Sequence, residues 1–551
     1  MTSTPRRGAR SVANALYFGD NLEVLRESVK DESVDLIYLD PPFNSNATYN
    51  VLFRTPKGHQ SDAQIEAFDD TWHWGEQAEA AYAELMQQSN TDVAEVIRAL
   101  RSVLGENDMM AYLAMMAIRL LELRRALKPT GSLYLHCDPT ASHYLKMVLD
   151  QVFGVEHFCS EISWKRTGTH SSAKRWAPVH DVILFYSKSG EFTWNRPYVP
   201  LDDDHRERHY SHADASGRKY AHGELTGPGT RNGRSGVPWR GFDVAAMGRH
   251  WTTTVENLES MYSEGRIYLP DDGSWPRLIR YEDESKGRAL GDVWTDIAPI
   301  NMMAKERLGY PTQKPVVLLE RIVAASSNEG DVVLDPFCGC GTAVHAAEKL
   351  HRHWIGIDVT HLAVSLIEKR MRDAFPGIAF EVHGTPKDLD GARNLAERDK
   401  YQFQWWACSL VNAQPYQGKK KGADSGIDGL IYFPEDDKHT AKIVVSVKGG
   451  ENVTVKEVRD LRAVIEREKA AMGFFVTLNP PTKPMVTEAA GAGFYSPPML
   501  EAKFPRLQIL TIGGLLNGKE QARYPHMTAG GLTFKKAKTE STAEQKKLFE
   551  G

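Results

Sequence analysis

Cysteine is scarce and poorly placed for cross-linking. The 551-residue chain has five (Cys137, Cys159, Cys338, Cys340, Cys408) and no Cys-x-x-Cys pair. That argues against a zinc ribbon and a disulfide framework, and it points to a reducing cytoplasm. No uninterrupted apolar stretch approaches the ~20 residues that a membrane helix needs, so no membrane partner is expected. The opening residues, MTSTPRRGARSVAN, are basic with no apolar segment behind them. They do not read as a secretory signal, and residues 1–12 are expected to be a disordered tail. An excess of positive charge is missing too: 67 Lys and Arg against 72 Asp and Glu leave a net charge of −5. Contact with a polyanion must therefore come from a local basic face.

What is present is a repeated order of strand, acid and helix. The chain is too long for one core, so two or three domains are expected. Residues 34–39, VDLIYL, form an apolar run long enough for one buried strand. It ends at Asp40-Pro41-Pro42-Phe43, where two prolines prevent the ladder from continuing. An acid, a rigid turn and an aromatic thus stand at the carboxyl end of a strand, where open α/β sheets bind ligands. A shorter strand at 14–18 ends in Gly19-Asp20, and another at 132–136 ends in Cys137-Asp138. The spacing of Met110, Leu113, Ala117 and Leu121 predicts a core helix over 108–127. Residues 46–90 are expected to be a long loop with some helix. Residues 195–290, rich in Gly, Arg, His and Trp, are expected to be a loop-rich insert with a weak core.

The pattern resumes at 332–334, followed by Asp335-Pro336-Phe337-Cys338-Gly339-Cys340-Gly341. Glycines between a strand and a helix let backbone approach a ligand closely, and Asp358 ends the next strand at a distance suited to a ribose. Val344 stands where a dinucleotide loop would have its third glycine. The stretch fits the shorter loop that receives S-adenosylmethionine, while spacing alone leaves a NAD-type loop or a bare strand–helix turn open. With such a donor, Asp40 and the Pro41 carbonyl are acceptors able to orient an exocyclic amine, and Phe43 offers a face for an extruded base.

These residues resemble a known family. YFGDNLEVL, SVDLIYLDPPFN, GSLYLHCDP, HDVILFYSK, YPTQKP and VLDPFCGCGTA match the β-arrangement amino-methylating DNA methyltransferases over about residues 13–380. There the catalytic turn precedes the recognition region and the cofactor loop. The resemblance implies an α/β fold, namely a Rossmann-like S-adenosylmethionine-dependent domain with circularly permuted motif order over 13–385, a target-recognition region at 160–300, and a site-specific enzyme acting on double-stranded DNA. It implies that Asp40, Pro41, Pro42 and Phe43 hold the base. Phe337, Gly339 and Gly341, beside Asp335, would cradle the methionine end of the cofactor, and Asp358 would take the ribose. Asp20 would approach the adenine, while Thr312, Gln313 and Lys314 would close the methionine side. Asp138 would lie near the target pocket. Lys165, Arg166, Lys174 and Arg175 would contact DNA. The acid of the turn favours N6 of adenine over N4 of cytosine. None of the five cysteines follows a proline, as the nucleophile of a cytosine-C5 enzyme does in the families that carry one.

After an expected linker at 386–400, residues 401–515 resemble an Mrr-type restriction endonuclease domain of the PD-(D/E)xK group. Asp428 and Lys448 match its acid and lysine, which would imply Mg2+. Ser446 replaces the expected Glu or Gln and is a poor metal ligand, which makes cleavage doubtful. Residues 516–551 are expected to be a flexible basic tail. The partners in view beyond DNA are a second copy of the chain and a restriction subunit, since the opening motifs also look like those of modification subunits.

Overall fold

The computed structural model describes residues 14–42, 48–54, 60–69, 73–169, 174–201, 203–301, 304, 306–308, 310, 312–416, 426–435, 439–498, 500–525 and 539–540, without side chains over 48–69 and at 205. The 1–12 tail and Phe43 lie outside these residues. The chain divides into two compact units, residues 196–291 forming the smaller and nearly all the remainder the larger.

The larger unit is built on a nine-stranded sheet. Its strands in chain order are β1 (Ala15–Phe18), β2 (Val34–Leu39), β3 (Leu127–Cys137), β4 (Phe158–Lys165), β5 (His180–Ser187), β6 (Val293–Trp294), β7 (Val332–Asp335), β8 (His353–Asp358) and β9 (Glu381–His383). They lie side by side as β6-β4-β5-β3-β2-β7-β8-β1-β9. All pairs are parallel except the two made by β5. β2 is buried at every position, as expected of a parallel strand covered on both faces. The chain leaves β2 for β3 on one side and β7 for β8 on the other. β2 and β7 therefore meet at a topological switch point, where a crevice opens at the carboxyl ends of the strands. Register pairs Leu334 with Ile37, which sets the Asp40 turn beside the Pro336–Phe337 turn.

Helices cover both faces. α1 (Asn21–Ser28) follows β1 and is capped by Asp20. α2 (Asp108–Ala126) is capped by Asn107 and buries Met110, Leu113, Met116, Ala117 and Leu120. α3 (Pro139–Phe153) starts at Asp138. α4 (Val316–Ser326), α5 (Thr342–Lys349) and α6 (His361–Ala374) complete the cofactor half.

Several expectations change. Within 46–90 an antiparallel hairpin, Thr48–Arg54 with Gln60–Asp69, replaces the loop, and a helix spans Glu76–Leu85. Alternation there is too irregular to show a strand, because the pairing contains two register shifts. The 195–290 segment has its own core. Leu225, Trp239, Val244, Trp251, Leu258 and Ile267 cluster together, next to a four-stranded antiparallel sheet that includes Lys219–Gly223 and Arg277–Tyr281. Two large indoles supply what aliphatic runs usually supply. Residues 160–195, expected in the recognition region, contribute β4 and β5 to the main sheet instead.

The expected linker is a helix, α7 (Leu389–Arg398), with Ala392 and Leu395 buried. It leads into α8 (Lys400–Leu410) and a second sheet of β10 (Gln414–Pro415), β11 (Gly429–Pro434), β12 (Thr440–Lys448), β13 (Met472–Thr477) and β14 (Leu507–Thr511), in that order across the sheet. One of its two apolar layers, with Leu430, Tyr432, Leu461 and Phe475, is continuous with Tyr310, Cys340 and Leu362 of the first half. The expected tail begins packed: Tyr524 is buried in the other layer, and Glu520 accepts the Thr511 N–H. Residues 526–538 and 541–551 of that tail lie outside the described residues.

Candidate active site

The carboxyl ends of β1, β2, β7 and β8 surround a cavity of about 280 Å3. Gly19, Asp20, Asp40, Pro41, Pro42, Thr312, Lys314, Asp335, Phe337, Gly339, Gly341's neighbour Thr342, and Asp358 stand at or around it. Sequence-expected residues from five separate stretches thus converge on one space.

The glycine loop shapes its floor. Gly339 and Gly341 have φ of 52° and 75°, the left-handed region that side chains disfavour. A Cβ on Gly341 would stand 2.9 Å from Ile367 Cγ1. The loop closes on itself through the Gly341 N–H bond to Cys338 O at 2.7 Å. It is also held from β8. Asp358 Oδ2 accepts the Gly339 N–H at 2.8 Å, while Oδ1 accepts the Thr360 N–H and hydroxyl, both at 2.9 Å. Burial pushes the Asp358 carboxyl up to about 6, against these donors. A carboxylate has about four acceptor sites, and at least three of those on Asp358 are taken up in ordering the loop and the start of α6. Asp335 accepts the Phe337 N–H at 3.0 Å. Burial drives its carboxyl well above the usual range, and Asp40 and Asp358 add to the rise.

At the opposite wall Asp20 both caps α1, accepting the Leu22 N–H at 2.8 Å, and takes Arg119 at 2.8 and 3.1 Å. Arg119 comes from the buried face of α2 and also donates to Asn21 Oδ1 at 2.6 Å. Asn21 in turn donates to Pro336 O at 2.8 Å. This chain ties α1, α2 and the cofactor loop together. Arg119, Asn21 and Tyr310, whose ring lies over Gly339, escape sequence reasoning. An arginine in the apolar middle of a helix, ahead of the Arg124-Arg125 pair in its last turn, was the available signal, since charge is rarely buried without a partner.

The Asp40 turn sits between these walls. Lys314 Nζ donates to Asp40 Oδ2, with both side chains mostly buried. Lys314 therefore meets the acid of the turn. Gln313, expected on the cofactor, does not line the cavity: it bonds Glu306 O and the Leu308 N–H at 2.7 Å each. These bonds brace the segment that carries Lys314. Beneath the turn runs a buried relay. The Tyr38 hydroxyl lies 2.9 Å from His136 Nδ1, and His136 Nε2 lies 3.0 Å from Asp181 Oδ2. Burial alone would raise the Asp181 carboxyl, but His136, Lys314 and Arg166 outweigh it and hold it below the usual range.

Of the expected DNA contacts, Arg166 pairs with the buried Asp181 at 3.0 Å and so has a structural anchor. Lys165, Lys174 and Arg175 are exposed. Asp138 caps α3 through the Ala141 N–H and does not line the cavity. In the second sheet Asp428 Oδ2 accepts the Val447 N–H at 2.7 Å and lies 3.4 Å from Ser446 Oγ. Its carboxylate is turned onto the β12 backbone, and Lys448 ends that strand. Among the described residues no group of three His, Cys, Asp or Glu could hold a metal ion. One engaged carboxylate beside a serine does not fit Mg2+.

Among proteins of known kind, the Type II methyltransferase M.EcaI of Enterobacter cloacae is 32% identical over 359 residues, covering 65% of this chain and 69% of that protein. The Type III restriction-modification enzyme StyLTI Mod subunit of Salmonella typhimurium is 26% identical, and the chain spans half of its length. A solved structure, the cytosine-N4-specific PvuII DNA methyltransferase, aligns over 65% of this chain and 86% of its own at 14% identity, with a TM-score of 0.30. Residues 408–504 match the family described as NACHT-associated inactive restriction endonuclease 1. Residues 34–369, more than half of the chain and containing the turn, the 196–291 unit and the glycine loop, match the N6/N4 DNA methylase family, to which this protein belongs.

Proposed function

We propose that the protein transfers a methyl group from S-adenosylmethionine to N6 of an adenine flipped out of duplex DNA at a specific site. The observation that carries this reading is that Asp40 and Pro41 line the same cavity as the glycine loop and Asp358. The residues suit the donor: Lys314 for its carboxylate, acids for its ammonium, Asp358 for its ribose. When bound, the donor supplies an electrophilic methyl on sulfur. Asp40 and the Pro41 carbonyl accept the two amine hydrogens, turning the nitrogen lone pair out of ring conjugation and toward that methyl. On transfer the amine nitrogen would take the methyl as the carbon–sulfur bond breaks, and the proton it loses would pass by way of Asp40 to solvent. Phe43, which follows the turn, is the stacking partner for the base, and Lys165, Lys174 and Arg175 contact phosphates.

The acid at position 40 favours adenine. The C-terminal module is read as a non-cleaving domain, since its Asp428 faces backbone and Ser446 replaces a ligand. A restriction subunit is a partner in keeping with the Mod subunit relative, and the cytoplasm with the free cysteines. Among the described residues no helix is long and apolar enough to cross a membrane.

The test is transfer of labelled methyl to duplex DNA, with the modified base mapped by sequencing. Asp40→Ala should abolish transfer while S-adenosylhomocysteine still binds. Full activity in that variant would overturn the role of the turn, and methyl groups on cytosine would overturn the choice of base.

A further inference from the structure

Lys314 stands on the acid that must receive the target amine. Its ammonium occupies Asp40 Oδ2 and neutralises the carboxylate. A carboxylate already engaged by an ammonium is a weaker acceptor for a neutral amine N–H, because its charge and one oxygen are committed. Asp40 in this arrangement is poorly prepared for its task.

The charges around the cavity show what could move Lys314. Among the described residues Asp20, Asp40, Asp335 and Asp358 line it, against two cations, Arg119 and Lys314. Arg119 is fixed at the far wall by both oxygens of Asp20 and by Asn21. Lys314 is therefore the lining cation that an arriving carboxylate can attract, and its four-carbon stem lets the ammonium swing. Its backbone is not free to follow. Gln313 bonds Glu306 O and the Leu308 N–H, and Glu306 accepts the Val316 N–H at 3.2 Å, so the segment on either side of Lys314 is braced. A mobile head on a braced stem suits exchange between two acceptors.

We propose that Lys314 is a positioning residue that masks Asp40 until the carboxylate of the methyl donor draws it away, so that the amine is held only after the donor has bound. This rests on the reading of the cavity as a methyl-donor site. The exchange keeps charge balanced: Lys314 moves from one carboxylate to another, and Asp40, once released, faces a cationic sulfonium and the amine. Unmasked without the donor, Asp40 would stand near Asp335 and Asp358 with no counter-charge, a costly arrangement for a partly buried acid. Binding order is thus written into one ion pair, which protects against a flipped base held with no methyl to receive.

The experiment is calorimetric titration of the full chain, without DNA, with S-adenosylhomocysteine and with its decarboxylated form, which differ only in the carboxylate. Because S-adenosylhomocysteine must take Lys314 from Asp40, Asp40→Asn should bind it at least about fivefold more tightly, since this mostly buried pair is worth no less than an ion pair at the surface. The decarboxylated form should gain nothing. Lys314→Met should erase the preference for the carboxylated ligand. Equal gains for both ligands in Asp40→Asn, or no gain for either, would overturn the gate while leaving the methyl-donor reading intact. A preference for the carboxylated ligand that persists in Lys314→Met would do the same. Failure of the unmodified chain to bind either ligand would overturn the functional reading, and the gate with it.

Discussion

Gly341 offers a quantitative test of the cofactor loop. It lies in the left-handed region at φ 75°, ψ 35°, and caps α5. In Gly341→Ala the left-handed backbone costs about 1–2 kcal/mol. The new Cβ, 2.9 Å from Ile367 Cγ1 and 3.1 Å from Cγ2, adds about 1–3 kcal/mol of overpacking against a buried helix. Gly330 is the control: φ is 82°, and its Cβ would meet nothing within 4 Å, so Gly330→Ala carries the backbone term alone. Both substitutions restrict the unfolded chain alike, which cancels in the difference. Urea unfolding monitored in the methyltransferase half should therefore show Gly341→Ala less stable than Gly330→Ala by about 1–3 kcal/mol. Calorimetry should show S-adenosylhomocysteine binding weakened about tenfold or more in Gly341→Ala only, because relief of the clash displaces loop N–H groups. Equal stability and equal affinity in the two variants would refute the account of why this loop needs glycine there.

Asp358, pushed up to about 6 by burial, should make donor affinity depend on pH. Hydroxyl donors favour the ionised carboxylate, so S-adenosylhomocysteine should bind more tightly as pH rises through about 6 and level off above, and Asp358→Asn should flatten the profile. The same raised value means that the folded chain holds this proton more strongly than the unfolded one. Its contribution to stability is therefore greatest below the ordinary value of 3.8 and is lost as pH rises through about 6, a fall that Asp358→Asn should remove from a pH series of unfolding midpoints. Trp251, fully buried in the 196–291 unit, should cost about 3–5 kcal/mol as Trp251→Ala and abolish methyl transfer to DNA while donor binding measured by calorimetry persists. A chain ending at residue 385 would uncover Tyr310, Cys340 and Leu362, which share a core with the second sheet. It should aggregate or unfold at a markedly lower temperature in a thermal scan than the full chain.

Much of the site is legible because local chemistry leaves marks in the chain. Two prolines after an apolar run end a strand, and glycines after Asp335 mark a turn that can bring backbone close to a ligand. The pairings that went unseen act at long range. Arg119 reaches Asp20 across 99 positions, Lys314, expected on the methionine side, reaches Asp40 across 274, and His136 and Asp181 meet under the turn from neighbouring strands. Spacing along the chain carries no record of such pairs. The helix at Leu389–Arg398 was hidden for another reason: its charged face dominates the composition, while two buried residues fix it in place.

The sequence by itself determined the layered α/β class, the acids at the ends of successive strands, the turn and the loop, because each depends on backbone geometry that a few neighbouring residues dictate. Only the tertiary structure decided how those acids are occupied. Lys314 lies on Asp40, Arg119 on Asp20, and loop N–H groups on Asp358. The carboxyl of Asp428 faces its own sheet, and the second sheet shares its core with the segment beside the cofactor loop. Which partner a buried charge finds depends on the packing of distant strands and helices, and burial in turn sets its proton affinity.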